Sequence, residues 1–163
     1  MLCEQGICLS CFGDPGIGSW VREDKLTGKF RGELIEAAYE ALVRQGLLNQ
    51  VDWITAVPSL RSRSVTSFAE RLAKRLELPF LDTVSKIRET TPQKEQRNSF
   101  HQAGNLDGAF EVADVLNGSV LLVDDMVDSK WTFTIIGALL RRKGAEAVIP
   151  FALASTTGGG DDE

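Results

Sequence analysis

Four consecutive apolar residues, Val120 to Val123, run without a break into two adjacent carboxylates, Asp124 and Asp125. A strand exposed on one face alternates in character, whereas an unbroken apolar run suits a strand buried on both faces, as in a parallel sheet. A short hydroxyl-bearing stretch, Asp128 to Thr132, follows, and then a helical pattern begins. The plainer account of this stretch is a buried strand with Asp128 or Ser129 as an ordinary helix N-cap. The richer one rests on where ligands sit in such sheets, just beyond the carboxyl ends of the strands. Paired carboxylates at that point can accept hydrogen bonds from a sugar diol. The backbone N–H groups opening the next helix can take a phosphate. Sugar and phosphate on one strand-turn-helix unit describe a ribose-5-phosphate site.

The rest of the chain supplies the sheet and its cover. From Gly32, the residues Leu34, Ala38, Ala41 and Leu42 recur at helical spacing, with Ile35, Tyr39 and Val43 widening the stripe and Gly46 offering a stop. Val51 to Val57 is a strand candidate ended by Pro58. A helix with Val65, Phe68, Leu72 and Leu76 on one face follows, closed by Pro79, and the next strand lies within Phe80 to Ile87. Residues 89–107 are polar and aperiodic and read as a long loop, a feature usually functional or disordered in a compact domain. Gly108 to Val112 is a short strand, and Val120 to Asp124 is the motif strand. The helix over 130–143 carries Phe133, Ile136 and Leu140 on one face, and a last strand runs near Ala147 to Ala154. The basic triplet Arg141 to Lys143 sits in the last turn of that helix, where cations favour the dipole, before a capping Gly144. Residues 1–30, with the Gly/Pro cluster Gly13 to Gly18, read as irregular. Strands alternating with helices predict a three-layer α/β/α fold with a mostly parallel central sheet. The expected division is an irregular amino-terminal region (1–30), a core (31–155) and a flexible acidic tail (156–163).

Composition removes several classes. A chain of 163 residues with 43% hydrophobic and 25% charged residues is one ordinary domain. No apolar stretch reaches a membrane span, and Met1 to Ser10 lacks a secretion signal, so the expected setting is the cytoplasm. The net charge is −5, of which Asp161, Asp162 and Glu163 in the tail supply three. The remainder is nearly neutral, which argues against direct nucleic-acid binding. Cys8 and Cys11 have the C-x-x-C spacing of zinc and redox sites, with Cys3 nearby. A structural zinc needs four ligands, however, and the lone histidine, His101, is remote, so plain reduced cysteines are expected. His101 itself reads as a surface loop residue, because nothing in sequence orients it as a base.

The segment Leu122-Val123-Asp124-Asp125-Met126-Val127-Asp128-Ser129 resembles the motif for phosphoribosyl pyrophosphate (PRPP) of type I phosphoribosyltransferases. The stretch Pro58-Ser59-Leu60-Arg61-Ser62-Arg63 resembles the pyrophosphate loop of ComF-like members. Thr91-Pro92-Gln93-Lys94-Glu95-Gln96 and Asn105-Leu106-Asp107-Gly108-Ala109-Phe110 are similar to the phosphoribosyltransferase-like module at the carboxyl end of bacterial RecQ-type DNA helicases. The resemblance spans about residues 12 to 155. Two departures stand out. Lys130 occupies the place of a usual Gly, which is strained if φ must be positive. Asp128 occupies the place of a hydroxyl residue and repels a nearby phosphate unless Mg²⁺ or a basic side chain intervenes; Lys130 can supply that charge.

The resemblance implies roles. Asp124 and Asp125 become ligands of the ribose hydroxyls and of Mg²⁺, while Asp128, Ser129, Lys130, Trp131 and Thr132 form the 5′-phosphate loop. Ser59, Arg61 and Arg63 take the pyrophosphate. Lys94 and Arg97, on a loop that closes over the ligand, add charge to the leaving group. Trp20 falls in the hood region, where it either stacks on a base or packs the core. The implied activity is transfer of ribose-5-phosphate from PRPP to a nitrogenous base, with a homodimer as the implied assembly. The implied alternative is a regulatory module that senses PRPP or a nucleotide for a DNA helicase domain or partner. The helicase motor's own Gly-x-x-x-x-Gly-Lys-Ser/Thr loop does not occur in these residues.

Overall fold

The computed structural model describes residues 6–10, 15–59, 62–87, 109–127 and 131–155. The expected loop over 89–107, the tail over 156–163, Cys3, Cys11 and His101 lie outside the described residues. In chain order the elements are β1 (Ile7–Cys8), α1 (Ile17–Thr27), α2 (Gly32–Arg44), β2 (Trp53–Ala56), α3 (Ser64–Leu76), β3 (Val84–Lys86), β4 (Phe110–Val112), β5 (Ser119–Val127), α4 (Trp131–Lys143) and β6 (Ala147–Ser155).

The apolar run of β5 is explained by its place. It is paired parallel on both sides, to β2 and to β6, in a four-stranded sheet of order β1-β6-β5-β2. Successive side chains of a strand point to opposite faces, and β5 uses both. Leu121 and Val123 enter one core with Leu34, Ala38 and Leu42 of α2, Phe68 and Leu72 of α3, and Val21 of α1. Val120 and Leu122 enter a second core with Phe133, Ile136 and Leu140 of α4 and with Val84, Phe110 and Val112 of the antiparallel β3–β4 pair. All four are fully buried, each contributing about 1.5–3 kcal/mol relative to exposure. The central sheet is thus mostly parallel and covered on both faces, as the alternation of elements predicts.

Beyond β2 the ladder continues for a moment. Ile54 bridges Phe80 in parallel, the Ile54 N–H donates to Pro79 O at 3.0 Å, and the Leu81 N–H donates to Ile54 O at 3.0 Å. Thr55 Oγ1 adds a bond to Leu81 O at 2.6 Å. The chain therefore passes through α3 and returns on the far side of β2. Among the described residues no helix is long and apolar enough to cross a membrane.

Two expectations are corrected. The amino-terminal stretch is not irregular throughout: β1 extends the sheet by pairing with β6 (Ile7 with Phe151), and α1 occupies Ile17–Thr27. Of the eleven residues of α1 only Gly18, Val21 and Asp24 are buried, a narrow stripe with one large apolar side chain, which gives little hydrophobic periodicity. The turn signal of the Gly/Pro cluster ends at Gly16, whose φ of 83° lets the chain enter the helix. Second, β5 does not stop at Asp124. Its pairing with β6 includes Asp124 with Ala152 and runs on through Met126 with Ala154 and Val127 with Ser155, so the acid pair lies within the strand instead of in a loop after it.

Helix ends behave as expected at α4, where the Gly144 N–H donates to Arg141 O at 3.0 Å with φ 126°. At α3 the capping residue is Glu77, left-handed with φ 60° and ψ 42°. A left-handed non-glycine residue costs about 1–2 kcal/mol, and glycine gives back part of that in unfolded-state entropy. Glu77→Gly is therefore expected to stabilise the domain by about 0.5–1 kcal/mol, read as a higher urea midpoint at unchanged slope.

Candidate active site

The winding of the chain reverses between β2 and β5. From β2 the crossover uses α3, on the face of the first core, and returns beyond β2. From β5 it uses α4, on the opposite face, and returns as β6 on the other side. Between two such strands the connections leave in opposite directions, and a crevice opens at their carboxyl ends. The register sets what faces it: Ala56 lies beside Val123, and the Val57 N–H donates to Val123 O at 2.8 Å. Pro58 and Ser59 therefore leave β2 at the level where Asp124 and Asp125 continue β5. Segments 65 residues apart in sequence, Ser59 and Asp124, are brought to one end of the sheet.

The acid pair is asymmetric. Asp124 is partly buried, and its Oδ1 accepts the Asp125 N–H at 2.7 Å. Loss of water around it, reinforced by the neighbouring Asp125 charge, pushes its carboxyl well above the ordinary carboxylate range, while Lys25 pulls weakly the other way. The Asp125 side chain is 15% exposed, and its Oδ2 accepts the Lys25 ammonium at 2.7 Å. Lys25 stands in the last turn of α1, so the amino-terminal helix reaches the end of β5. Sequence reasoning missed this residue. A lysine in a final helical turn reads as ordinary dipole compensation, and no local pattern links it to an acid 100 positions away.

On the β2 side, Ser59 is exposed and the turn leads into α3. Ser62 Oγ accepts the Ser64 N–H at 3.1 Å, satisfying a donor of the first helical turn. Arg63 sits at the helix start and donates from Nη2 to Asp82 Oδ2 at 3.2 Å. With side chains 71% and 47% exposed, that pair is a weak one that an anion can replace. Trp131 and Thr132 open α4, directly after β5. The structure thus brings Asp124, Asp125, Ser59, Arg63 and the start of α4 to the carboxyl end of the sheet. Arg61, Lys94, Arg97, Asp128, Ser129, Lys130 and the Trp131 side chain lie outside what is described. Trp20 packs against the first core with the Arg31 guanidinium 5.1 Å from its ring centroid, the core-packing role of the two expected for it.

The chemistry of the donor set bears on a metal. Among the described residues no three His, Cys, Asp or Glu side chains converge, and Cys8 Sγ contacts Ser10 O at 3.3 Å. Two adjacent carboxylates with one ammonium leave an excess of negative charge. That suits a Mg²⁺ ion taking one or two carboxylates and completing its shell with water and ligand phosphates.

A parallel α/β sheet with its polar crevice at a winding reversal is the architecture of domains that hold phosphorylated ligands at strand ends. More particularly, the chain belongs to the phosphoribosyl transferase domain family, whose model matches residues 38–161. Solved structures agree on the fold. An adenine phosphoribosyltransferase superposes with a TM-score of 0.51 at 17% identity, covering 77% of this chain and 71% of that one. Adenine phosphoribosyltransferase from Saccharomyces cerevisiae gives 0.51 at 18% identity, over 77% and 70%. No curated protein sequence matches significantly.

Proposed function

We propose that the chain binds PRPP with Mg²⁺ in the crevice between the ends of β2 and β5 and transfers its phosphoribosyl group to a nitrogenous base. One observation carries this reading: parallel register aligns the acid pair of β5 with the turn after β2, where the winding reverses. Two strand-end turns flanking an acid pair match the order of groups in a ligand with a sugar in its middle and phosphates at both ends. Asp124 and Asp125 accept hydrogen bonds from the ribose hydroxyls, and the stretch from Asp128 to Thr132 with the start of α4 takes the 5′-phosphate. Ser59, Arg61 and Arg63 hold the pyrophosphate. Lys94 and Arg97 approach it from the loop that covers the ligand.

In the transfer the C1–O bond to pyrophosphate breaks, with its electron pair leaving on the pyrophosphate. A nitrogen of the base forms the new bond to C1 and afterwards loses its proton. Arginine and lysine charges lower the barrier by stabilising the departing group, and fixed positions for ribose and phosphate keep C1 aligned with the acceptor. Asp124 and Asp125 are the residues that would hold Mg²⁺, which when bound would offset negative charge on the pyrophosphate. Excluding water matters because water is the competing acceptor.

A second reading is favoured by a specific observation, the replacement of the phosphate loop's usual residues by Asp128 and Lys130. In it the ComF-like, RecQ-associated resemblance is a regulatory one, and the domain binds PRPP or a nucleotide without turnover. Titration calorimetry with PRPP and Mg²⁺, followed by pyrophosphate release assays with the common bases, separates the two. Release only when a base is supplied identifies the transferase. Micromolar binding with no release across all bases identifies the sensor, and absence of binding removes both.

A further inference from the structure

The last turn of α1 carries two ionic side chains of opposite character. Asp24 is 6% exposed and accepts three bonds from Arg31, from its backbone N–H at 2.8 Å, from Nε at 2.9 Å and from Nη2 at 2.9 Å. Those bonds fix the turn to the start of α2 from within. The next residue, Lys25, is 39% exposed and reaches outward to Asp125 at 2.7 Å; its neighbour Leu26 is 86% exposed. The turn therefore does not depend on Lys25 for its place. An ammonium held by a pre-set turn beside a strand-end acid pair is a tethered cation, available at high effective concentration.

It occupies the place of another cation. Lys25 uses Asp125 Oδ2, and the Asp125 N–H uses Asp124 Oδ1. A neutral hydroxyl donor brings no charge to the pair, so a sugar diol can bind without expelling the ammonium. A divalent ion cannot, because it competes for the same carboxylate and like charges at contact distance repel strongly.

We propose that Lys25 is an intramolecular counter-ion of the acid pair, released when a divalent ion arrives with its phosphoribosyl ligand, so that metal loading and the hold of α1 on β5 oppose each other. This rests on the site assignment under Proposed function and makes Lys25 a positioning residue of that site. By linkage, whatever strengthens the Lys25–Asp125 contact weakens metal binding, and the reverse.

The test uses the full chain and Mn²⁺ alone as probe. Lys25→Met is expected to bind Mn²⁺ about 2- to 5-fold tighter than the parent, the range that loss of a half-exposed competing ion pair supplies. Lys25→Arg keeps the charge and is expected to stay within about twofold of the parent. The gain in Lys25→Met must vanish when Asp125→Asn is added. In lysine-labelled protein the Lys25 Cε signal, assigned by its loss in Lys25→Met, is expected to shift when Mg²⁺ saturates. Unchanged or weaker Mn²⁺ binding in Lys25→Met, or a gain that survives Asp125→Asn, overturns the counter-ion role. A parent protein that takes no PRPP with Mg²⁺ while Lys25→Met still gains for Mn²⁺ supports the exchange and overturns the phosphoribosyl assignment instead.

Discussion

Replacing Asp124 and Asp125 together by asparagine is expected to weaken binding of PRPP with Mg²⁺ by at least about 100-fold, since each lost hydrogen bond to a charged group is worth about 1.5–3 kcal/mol. The fold does not share the loss. Burial, reinforced by the neighbouring Asp125 charge, pushes the Asp124 carboxyl well above the ordinary carboxylate range. A raised carboxyl pKa means that ionisation is penalised in the folded state only, so the penalty is complete at pH values above the raised pKa. It disappears as pH falls to the unfolded carboxyl value of about 4. Asp124→Asn alone is accordingly expected to raise the melting temperature at neutral pH, with the gain shrinking toward zero near pH of about 4. Calorimetry and thermal melts on the same samples check both halves. Loss of binding with gain of stability is the mark of a carboxylate kept for its ligand; a joint loss of both would assign Asp124 to structure.

The largest expected effect on stability lies elsewhere, at Arg31. Removing its guanidinium in Arg31→Met leaves the Asp24 carboxylate nearly buried without a cation and takes the charge from above Trp20. Breaking the pair from one side leaves a desolvated acid without its partner, so Arg31→Met is expected to lower the urea midpoint clearly. Asp24 is held below the ordinary carboxylate range, first by the Arg31 side-chain bond. A depressed pKa contributes stability that is present above the unfolded carboxyl value and is lost as pH falls through the folded one. The gap between parent and Arg31→Met in urea unfolding is therefore widest at neutral pH and narrows below pH of about 4. Arg31→Lys is expected to restore only part, because one ammonium cannot reproduce the two-pronged contact to both Asp24 oxygens.

The sheet and most helices were legible for a common reason. In β5 burial on both faces writes four apolar residues in a row, and α2 and α3 bury broad stripes, Leu34 to Leu42 and Val65 to Ala73. Such elements declare themselves locally. The strand β1 is two residues long and exists only because Ile7 and Cys8 pair with Phe151 and Ala152 at the other end of the chain. Helix α1 hides because it rests on the core by one narrow line and is secured by Asp24 and Arg31, residues that hydrophobic patterning scores as solvent-facing. The same blindness applies to the site. The acids and the turn after β2 could be picked out from chemistry and spacing, whereas Lys25 could not, since only the three-dimensional path of α1 brings it to Asp125. The continuation of β5 past the acids was also hidden, because carboxylates inside a ladder look from sequence like the start of a loop.

The most direct measurement is a crystal structure of the chain with PRPP and Mg²⁺. The account predicts density for the ribose within hydrogen-bonding distance of Asp124 and Asp125, the pyrophosphate against the turn that carries Ser59 and Arg63, and the Lys25 ammonium withdrawn from Asp125. Ligand density elsewhere on the molecule, with the Lys25–Asp125 contact intact and the strand-end crevice holding only solvent, would contradict it.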